Sequence, residues 1–470
     1  MDQYLCQNEG IKVEGFQVKC GFPKRHETRQ PMTEIIPLLI CLKPHLSATP
    51  LRQLHHIIGA LLCIPNRASL LGLSRWTDKG GSYRTLNRFY QTPIDWLKVQ
   101  WCLLQTHVLR PGGEYILAGD EVVIRKAGQH THGVGRFYSG LAQKVIPSLS
   151  FMAISIIAVE TQQAYPLYIQ QIMPAKKSQQ AVVEKPKRPR GRPKGSKNHA
   201  KPEPTLAPLL VLLQGMLMRL ALHIQRLKIK HIVLDGKFGN YPTTWMIHHR
   251  NLHLVSKLRQ DAALYLPYAG QAPSRGPQRR YGEKLIYHQL PADTCVSSDL
   301  EGDFRTDTYQ SPLYHHDYPD WLNVVIIVKT HLPTGKRGHV VLFSTDGELS
   351  AEKMVRYYRL RFQIEFNFRD AKQHWGLEDF MNVTQQGVTN AANLAFLMVN
   401  LAHLLLRPYQ DVHSDFSVLD LKAQYRARRY LTETIKMLPE MPEPDLISRI
   451  WQRLARFGGI RSPQDDTFAA

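Results

Sequence analysis

The feature that most constrains the fold is a set of apolar, strand-like runs interrupted by one long helical pattern. The run SLSFMAISIIAVE at 148–160 is almost continuously apolar, which is typical of a strand buried on both faces. EYILAGDEVVIRKAG reads as strand, turn and strand, and QAYPLYIQQI and KHIVLDGKFGN read as further strands. TLAPLLVLLQGMLMRLALHIQRLKI, at 205–229, has helical periodicity. This alternation predicts a mixed α/β domain.

The flanking regions differ from this domain in residue composition and hydrophobic pattern. Residues 33–110 contain several short helical patterns with interspersed arginines, which suit a helix-turn-helix-like DNA reader or an ordinary helical bundle. Residues 260–335 are rich in Pro, Gly, Tyr and Asp with short strand-like pieces, which predicts a separate β-rich insertion. The chain after about residue 380 is helical in pattern.

Charge narrows the class of partner. The net charge is +21 and the sequence pI about 9.7, an excess that suits a polyanion such as nucleic acid. We expect no membrane partner, because no apolar run reaches the roughly 20 residues that span a bilayer. The N-terminus lacks a signal-peptide plan and the six cysteines are scattered, which predicts a cytoplasmic protein with reduced thiols. The histidine pairs lack the spacing of zinc ligands.

One basic segment has a motif of its own. KPKRPRGRPKGSKNHAK, at 185–201, carries eight Lys or Arg and no acid, and its prolines exclude regular structure. Its centre resembles an AT-hook, in which a Pro-flanked Arg-Gly-Arg lies in the narrow minor groove of A·T tracts. That interpretation makes Arg190 and Arg192 DNA-binding residues. The alternative is a basic linker that binds phosphate without preference.

A second pattern lies at 358–372. At about 100° per residue, Arg361, Glu365 and Lys372 share a roughly 40° arc of a helix, with Tyr358 beside it. Ser350 is placed to cap this helix. A solvated face with i,i+4 ion pairs would give the same pattern. The sharper interpretation is a metal-binding carboxylate flanked by groups that hold phosphate.

That interpretation requires further carboxylates. Asp120 and Asp235 each end an apolar strand-like run, where α/β domains commonly build metal sites, although each aspartate also adjoins a glycine and fits a turn. Asp120, Asp235 and Glu365 could together hold two Mg²⁺ ions, with Mn²⁺ able to substitute. Such ions activate the attacking oxygen and stabilise the leaving one in phosphoryl transfer.

The Tyr-x2-Arg-x3-Glu-x6-Lys spacing resembles the signature of bacterial DDE transposases of the insertion-sequence-four type. LAGDEVV, VLDGKFGN, LVSKLRQDAALY and VLFSTDGELSAEKMVRYYRLRFQIEFNFRDAK resemble the family's blocks in the same order. The resemblance implies a ribonuclease H-like core with Asp120, Asp235 and Glu365 as catalytic and metal-binding residues. It implies double-stranded DNA as partner, both transposon ends and target. It also implies a homodimer on DNA and a nucleoid-associated location.

The resemblance also assigns roles to the other signature residues. Tyr358, Arg361 and Lys372 would grip phosphates of the transposon end. Some members form a DNA hairpin and stack a flipped base on an insertion-domain tryptophan. Trp321 is the only tryptophan within 260–335 and is the candidate here, with a core tryptophan as the alternative.

The resulting fold prediction is an α/β protein with a ribonuclease H-like catalytic core, a β-rich insertion and helical flanks. Its regions are a DNA-binding end-recognition domain (1–110), the first core part with the 185–201 segment (111–258), the insertion (259–335), the second core part with the Glu helix (336–400) and a helical C-terminal region (401–470). The predicted function is a transposase that cuts and joins DNA. The alternatives are a catalytically silent derivative, a nuclease without strand joining, and an AT-hook architectural protein.

Overall fold

The structure is a computed structural model that describes residues 12–13, 16–17, 31–77, 80–140, 142–174, 203–271, 279–457 and 459–460. Its main feature is a mixed sheet of twelve strands within those residues. The sheet runs β10-β9-β12-β13-β14-β8-β7-β3-β5-β4, with β11 beside β12 and β6 beside β5. Two short strands near the N-terminus pair with each other.

The strands have the following bounds: β1 Lys12–Val13, β2 Phe16–Gln17, β3 Tyr115–Arg125, β4 Gly135–Ser139, β5 Lys144–Ala158, β6 Gln163–Ile172, β7 His231–Leu234, β8 His253–Lys257, β9 Leu264–Pro267, β10 Tyr281–Lys284, β11 Cys295–Glu301, β12 Phe304–His315, β13 Leu322–His331 and β14 Arg337–Ser344. The helices are α1 Pro31–Leu39, α2 Ala48–Cys63, α3 Leu70–Ser74, α4 Tyr83–Gln91, α5 Trp96–His107, α6 Pro208–Arg226, α7 Tyr241–His248, α8 Ala351–Leu360, α9 Gln363–Gln373, α10 Gln385–Gln410, α11 Val418–Ile435 and α12 Pro444–Arg456.

The central strands β3, β5 and β7 are buried on both faces, which explains their apolar sequences. Side chains of β3 alternate between two cores: Ile116 and Ala118 join one, and Tyr115 and Leu117 join the other. The first core contains α8, α9, α10 and the N-terminal helices. The second contains α6, α7 and the strands that follow β8. The expected mixed α/β architecture is confirmed at this level.

The N-terminal helices share a core with the C-terminal ones. The indole Nε1 of Trp96 in α5 donates a hydrogen bond of 2.8 Å to Asn390 Oδ1 in α10. The amide Nδ2 of Asn390 in turn donates to the carbonyls of Tyr90 and Thr92, at 2.9 and 2.8 Å. Helices α4 and α5 are therefore tied to α10, and the division of 1–110 into a domain of its own stays a prediction.

Two local expectations need correction, and a third is not decided by the structure. Residues 115–125 form one continuous strand, whereas a strand, turn and strand were expected; the full ladder to β5 carries the chain straight through Gly119-Asp120. The helix with the signature residues divides into α8 and α9 at Arg361-Phe362, where backbone bonds tighten to an i→i+3 pattern. The β-rich insertion at 259–335 stays a prediction; its strands join the main sheet, where β13 pairs with β14.

Other expectations hold, or lie outside the described residues. Ser350 caps α8 by accepting a hydrogen bond from the Lys353 N–H. The apolar side chains of this region, Leu360, Ile364, Phe368 and Ala371, are buried. The segment 185–201, with Arg190 and Arg192, lies outside the described residues.

Two described helices, α6 and α10, are long and apolar enough to cross a membrane by length and composition. The apolar window of α10 is 89% buried within the protein, as expected of a core helix, whereas that of α6 is 33% buried. The absence of a membrane partner therefore stays a prediction.

Candidate active site

The candidate site begins where β7 stops beside β3. These strands are parallel neighbours, and Gly119 pairs with Leu234 at the last rung of their ladder. The next residues are Asp120 and Asp235, so the two carboxylates emerge side by side. Asp120 still lies within β3, but no residue of β7 pairs with it, because β7 ends at Leu234. The aspartates thus meet at the carboxyl end of β7, where α/β domains hold ligands.

Close packing below the aspartates fixes this meeting point. A Cβ added to Gly119 would lie 2.9 Å from both Leu234 Cδ2 and Met152 Cε. Asp235 is also fixed through its backbone, because its carbonyl accepts a hydrogen bond of 3.0 Å from the buried Ser256 hydroxyl. The rigid sheet therefore sets the spacing of the aspartates.

The third carboxylate arrives from the helical layer. The buried faces of α8 and α9 pack on the sheet and bring Arg361 and Glu365 over the ends of β3 and β7. Arg361 Nη1 lies 2.7 Å from Asp120 Oδ2, and its Nη2 lies 3.3 Å from Glu365 Oε1 and 3.9 Å from Asp235 Oδ1. One guanidinium thus joins all three predicted acids.

The electrostatics of this group follow from its burial. The side chain of Arg361 is only 11% exposed, and those of Asp235 and Glu365 are 49% and 44% exposed. Burial raises the pKa of Asp120, and Arg361 opposes that shift. Burial also works to lower the pKa of Arg361, but Asp120 and Asp235 outweigh it and raise the value. The cation is therefore held by an excess of negative charge.

The other two signature residues, Tyr358 and Lys372, have different surroundings. Tyr358 lies beside the cluster: its ring is 5.9 Å from the Arg361 guanidinium carbon, and burial and then Asp235 raise its pKa. Lys372, in α9, contacts β3 beyond Asp120. Its Nζ donates a hydrogen bond to the Val123 carbonyl at 3.0 Å and lies 3.6 Å from Glu378 Oε1. The structure thus brings Tyr358, Arg361 and Glu365 together with the aspartates and places Lys372 beside a different acid.

Two site residues were missed from the sequence. Glu121 follows Asp120, and its Oε2 lies 2.7 Å from Lys237 Nζ, which follows Asp235. The ion pair joins β3 to the turn after β7 and adds a fourth acid near the cluster. The adjacent letters DE and DGK were its only signal in the sequence.

Trp321 lies elsewhere. It precedes β13 and packs beside Gly347, and it is 44% exposed, so it is not the core tryptophan that the alternative required. The β13–β14–β8 register places it toward the start of β7, away from Asp235. A base stacked on Trp321 would therefore lie far from these carboxylates.

The donor atoms of the cluster decide whether it suits a metal ion. Within the described residues, no group of three His, Cys, Asp or Glu side chains stands ready to hold an ion. The acids instead surround the Arg361 guanidinium, which supplies the positive charge that a metal ion would supply. Three carboxylates around one positive charge are the hard oxygen donors that Mg²⁺ prefers, so the donor set fits the ion.

A family comparison adds to this geometry. The family described as DDE superfamily endonuclease matches residues 41–310, more than half of the chain. The chain belongs to this DDE endonuclease family. The matched range contains Asp120 and Asp235 but ends before Glu365, so the family assignment and the geometry of Glu365 are independent. No curated protein matches the sequence.

Proposed function

We propose that this DDE endonuclease family member is a DNA transposase of the insertion-sequence-four type. It binds the terminal inverted repeats of its element, cleaves DNA there and joins the 3′-OH ends to target DNA. The observation that carries the proposal is the convergence of Asp120, Asp235 and Glu365, from three separate elements, on one cation. The protein would act in the cytoplasm at the nucleoid, as a homodimer on DNA.

The carboxylates have the chemistry for a metal-dependent cleavage. Asp120, Asp235 and Glu365 would hold two Mg²⁺ ions, which supply Lewis-acid activation of the attacking oxygen and stabilise the leaving one. The sheet holds the aspartates rigidly, whereas Glu365 sits on a helix that begins just after a break. Rigid ligands keep the reacting phosphate in line with its nucleophile.

Arg361 would bind two partners, one after the other: the carboxylates and then a DNA phosphate. In the described arrangement it neutralises the acids, with its Nε buried and without a hydrogen-bond partner. Asp120, Asp235 and Glu365 are the same acids that would hold the metal ions, so Arg361 would be released from them in the metal-bound protein. A freed guanidinium beside Tyr358 is suited to bind a DNA phosphate bidentately.

The DNA on either side of the gene supplies the test. Inverted repeats in that DNA, built into a labelled duplex, should be cut at their ends in Mg²⁺ and joined to a second duplex. Cutting without joining would favour a nuclease, and binding without cutting would favour a silent derivative. Inactivity on every such duplex would contradict the proposal.

A further inference from the structure

A large cleft lies at the opposite end of the sheet from the carboxylates. Its volume is about 990 Å³, and it is lined by the starts of β3 and β7, the end of α6 and the start of α8. Because β3 and β7 run parallel, their first residues meet at one end and Asp120 and Asp235 at the other. The cleft is therefore separate from the candidate active site.

Two of the acids in this cleft already have partners. Glu114 Oε1 accepts a hydrogen bond from the Tyr357 hydroxyl and lies 3.1 Å from Lys353 Nζ. Asp346 Oδ2 lies 2.7 Å from His231 Nε2. These pairs bridge β3, β7 and α8, and the third acid that lines the cleft, Glu348, is outnumbered by the cations around it.

The surplus in the cleft is positive. Arg110, Arg226, Lys228 and Lys230 line it and are exposed. Within the described part of the chain, none of these four lies within ion-pair distance of a carboxylate. The cations come from two separate segments, the end of α5 with its turn and the α6–β7 connection. An anion with several charges could therefore contact both sides at once.

Lys228 adds an independent observation. Its φ is +52°, in the left-handed region, just after α6. The Ile229 N–H bonds to the Ile224 carbonyl, and the Lys228 N–H bonds to the Gln225 carbonyl, which closes the helix end. Glycine is the residue that this position favours, since a side chain is strained there. A lysine held in a strained conformation at a cleft suggests that its charge is used.

We propose that this cleft binds the phosphate backbone of DNA at a site remote from the reacting strand. The inference rests on the proposed function for its ligand class, because a DNA-cutting protein meets long polyanions. Arg226, Lys228 and Lys230 contact phosphates from one side, and Arg110 contacts them from the other. The cleft thereby holds a segment of DNA while the opposite end of the sheet carries out cleavage.

The test measures the affinity of the full-length protein for labelled duplex and single-stranded DNA, by fluorescence anisotropy over a range of salt concentrations. Lys228→Glu/Lys230→Glu should weaken binding about tenfold or more and lower the salt slope by about 1.4 to 1.8, since each of two lost phosphate contacts contributes about 0.7 to 0.9. The matched control is Lys284→Glu/Lys336→Glu, exposed lysines on β10 and before β14. It makes the same charge change outside the cleft and should leave the slope near wild type.

Lys228→Gly separates binding from folding. It removes the charge and relieves the left-handed strain, so it should raise the thermal midpoint while weakening DNA binding several-fold. The inference is overturned if the cleft and control pairs behave alike on both DNA probes, or if Lys228→Gly binds as tightly as wild type. A wild-type protein that never cuts DNA but shows the lysine-dependent binding would refute the proposed function and leave this site standing.

Discussion

The two ends of the central sheet hold opposite balances of charge. At the end where β7 stops, Asp120, Asp235 and Glu365 share one guanidinium. At the other end, Glu114 and Asp346 each have a hydrogen-bond donor of their own. The cations of that cleft, Arg110, Arg226, Lys228 and Lys230, have no carboxylate partner among the described residues. The same helical layer, α8 and α9, supplies residues to both ends.

The difference separates structural carboxylates from functional ones. An acid paired with its own buried donor stabilises the fold and has no reason to bind a cation. Three acids that share one cation repel one another, and such an arrangement persists where function uses the excess charge. The acids at the β7 terminus should therefore control chemistry, and those at the start of β7 should control stability.

The largest expected effect is on catalysis at the carboxylate end. Asp120→Asn, Asp235→Asn and Glu365→Gln should each lower the cleavage rate by on the order of 1,000-fold or more, while DNA-end binding stays nearly intact. Asp346→Asn makes the same change at the other end and should retain cleavage. Near-normal cutting by any of the three variants would remove that residue from the site.

A smaller effect is expected for the cations beside the acids. Arg361→Ala and Lys372→Ala should slow single-turnover cleavage on the order of 100-fold in pre-assembled complexes, because a misplaced phosphate reacts slowly. Arg359→Ala, on the exposed face of α8, is the matched control. Unchanged rates for both variants would mean that this face only stabilises the helix. Lys372 is the sharper case, because its observed partners are Val123 and Glu378.

At the opposite end the expected effect is on stability. Hydrogen bonding from Tyr357 lowers the pKa of Glu114, and Asp346 also has a lowered pKa, with burial opposing the hydrogen bond from His231. Glu114→Gln and Asp346→Asn should each lower the free energy of unfolding by about 1.5 kcal/mol, the lower end of the range for a hydrogen bond to a charged group. Equilibrium urea denaturation measures this loss. Full stability together with lost cleavage would reverse the assignment of the two ends.

The smallest effect concerns the segment 185–201. Arg190→Ala/Arg192→Ala should reduce the preference for A·T-rich over G·C-rich duplexes a few-fold, while general affinity falls less. Competition binding with matched duplexes measures the ratio. An unchanged ratio would make the segment a plain basic linker.

The sequence identified the three acids from local patterns, and the structure brings their carboxylates together around Arg361, while their catalytic role stays a prediction. The apolar runs marked β3 and β7, and helical spacing placed Glu365 beside Arg361. It could not predict that β3 continues past Asp120, since that depends on pairing with β5. It also missed the Glu114–Tyr357 and His231–Asp346 pairs, whose partners lie 243 and 115 residues apart.

Binding of Mn²⁺, followed by electron paramagnetic resonance, tests the central claim. The claim is that the three carboxylates form a metal-ion site for which the Arg361 guanidinium competes. Wild type should bind Mn²⁺, and Glu365→Gln should bind it at least about 10-fold more weakly. Arg361→Ala should bind it more tightly, because the competing guanidinium is gone. Equal affinity in all three proteins, or no binding by any, would contradict the account.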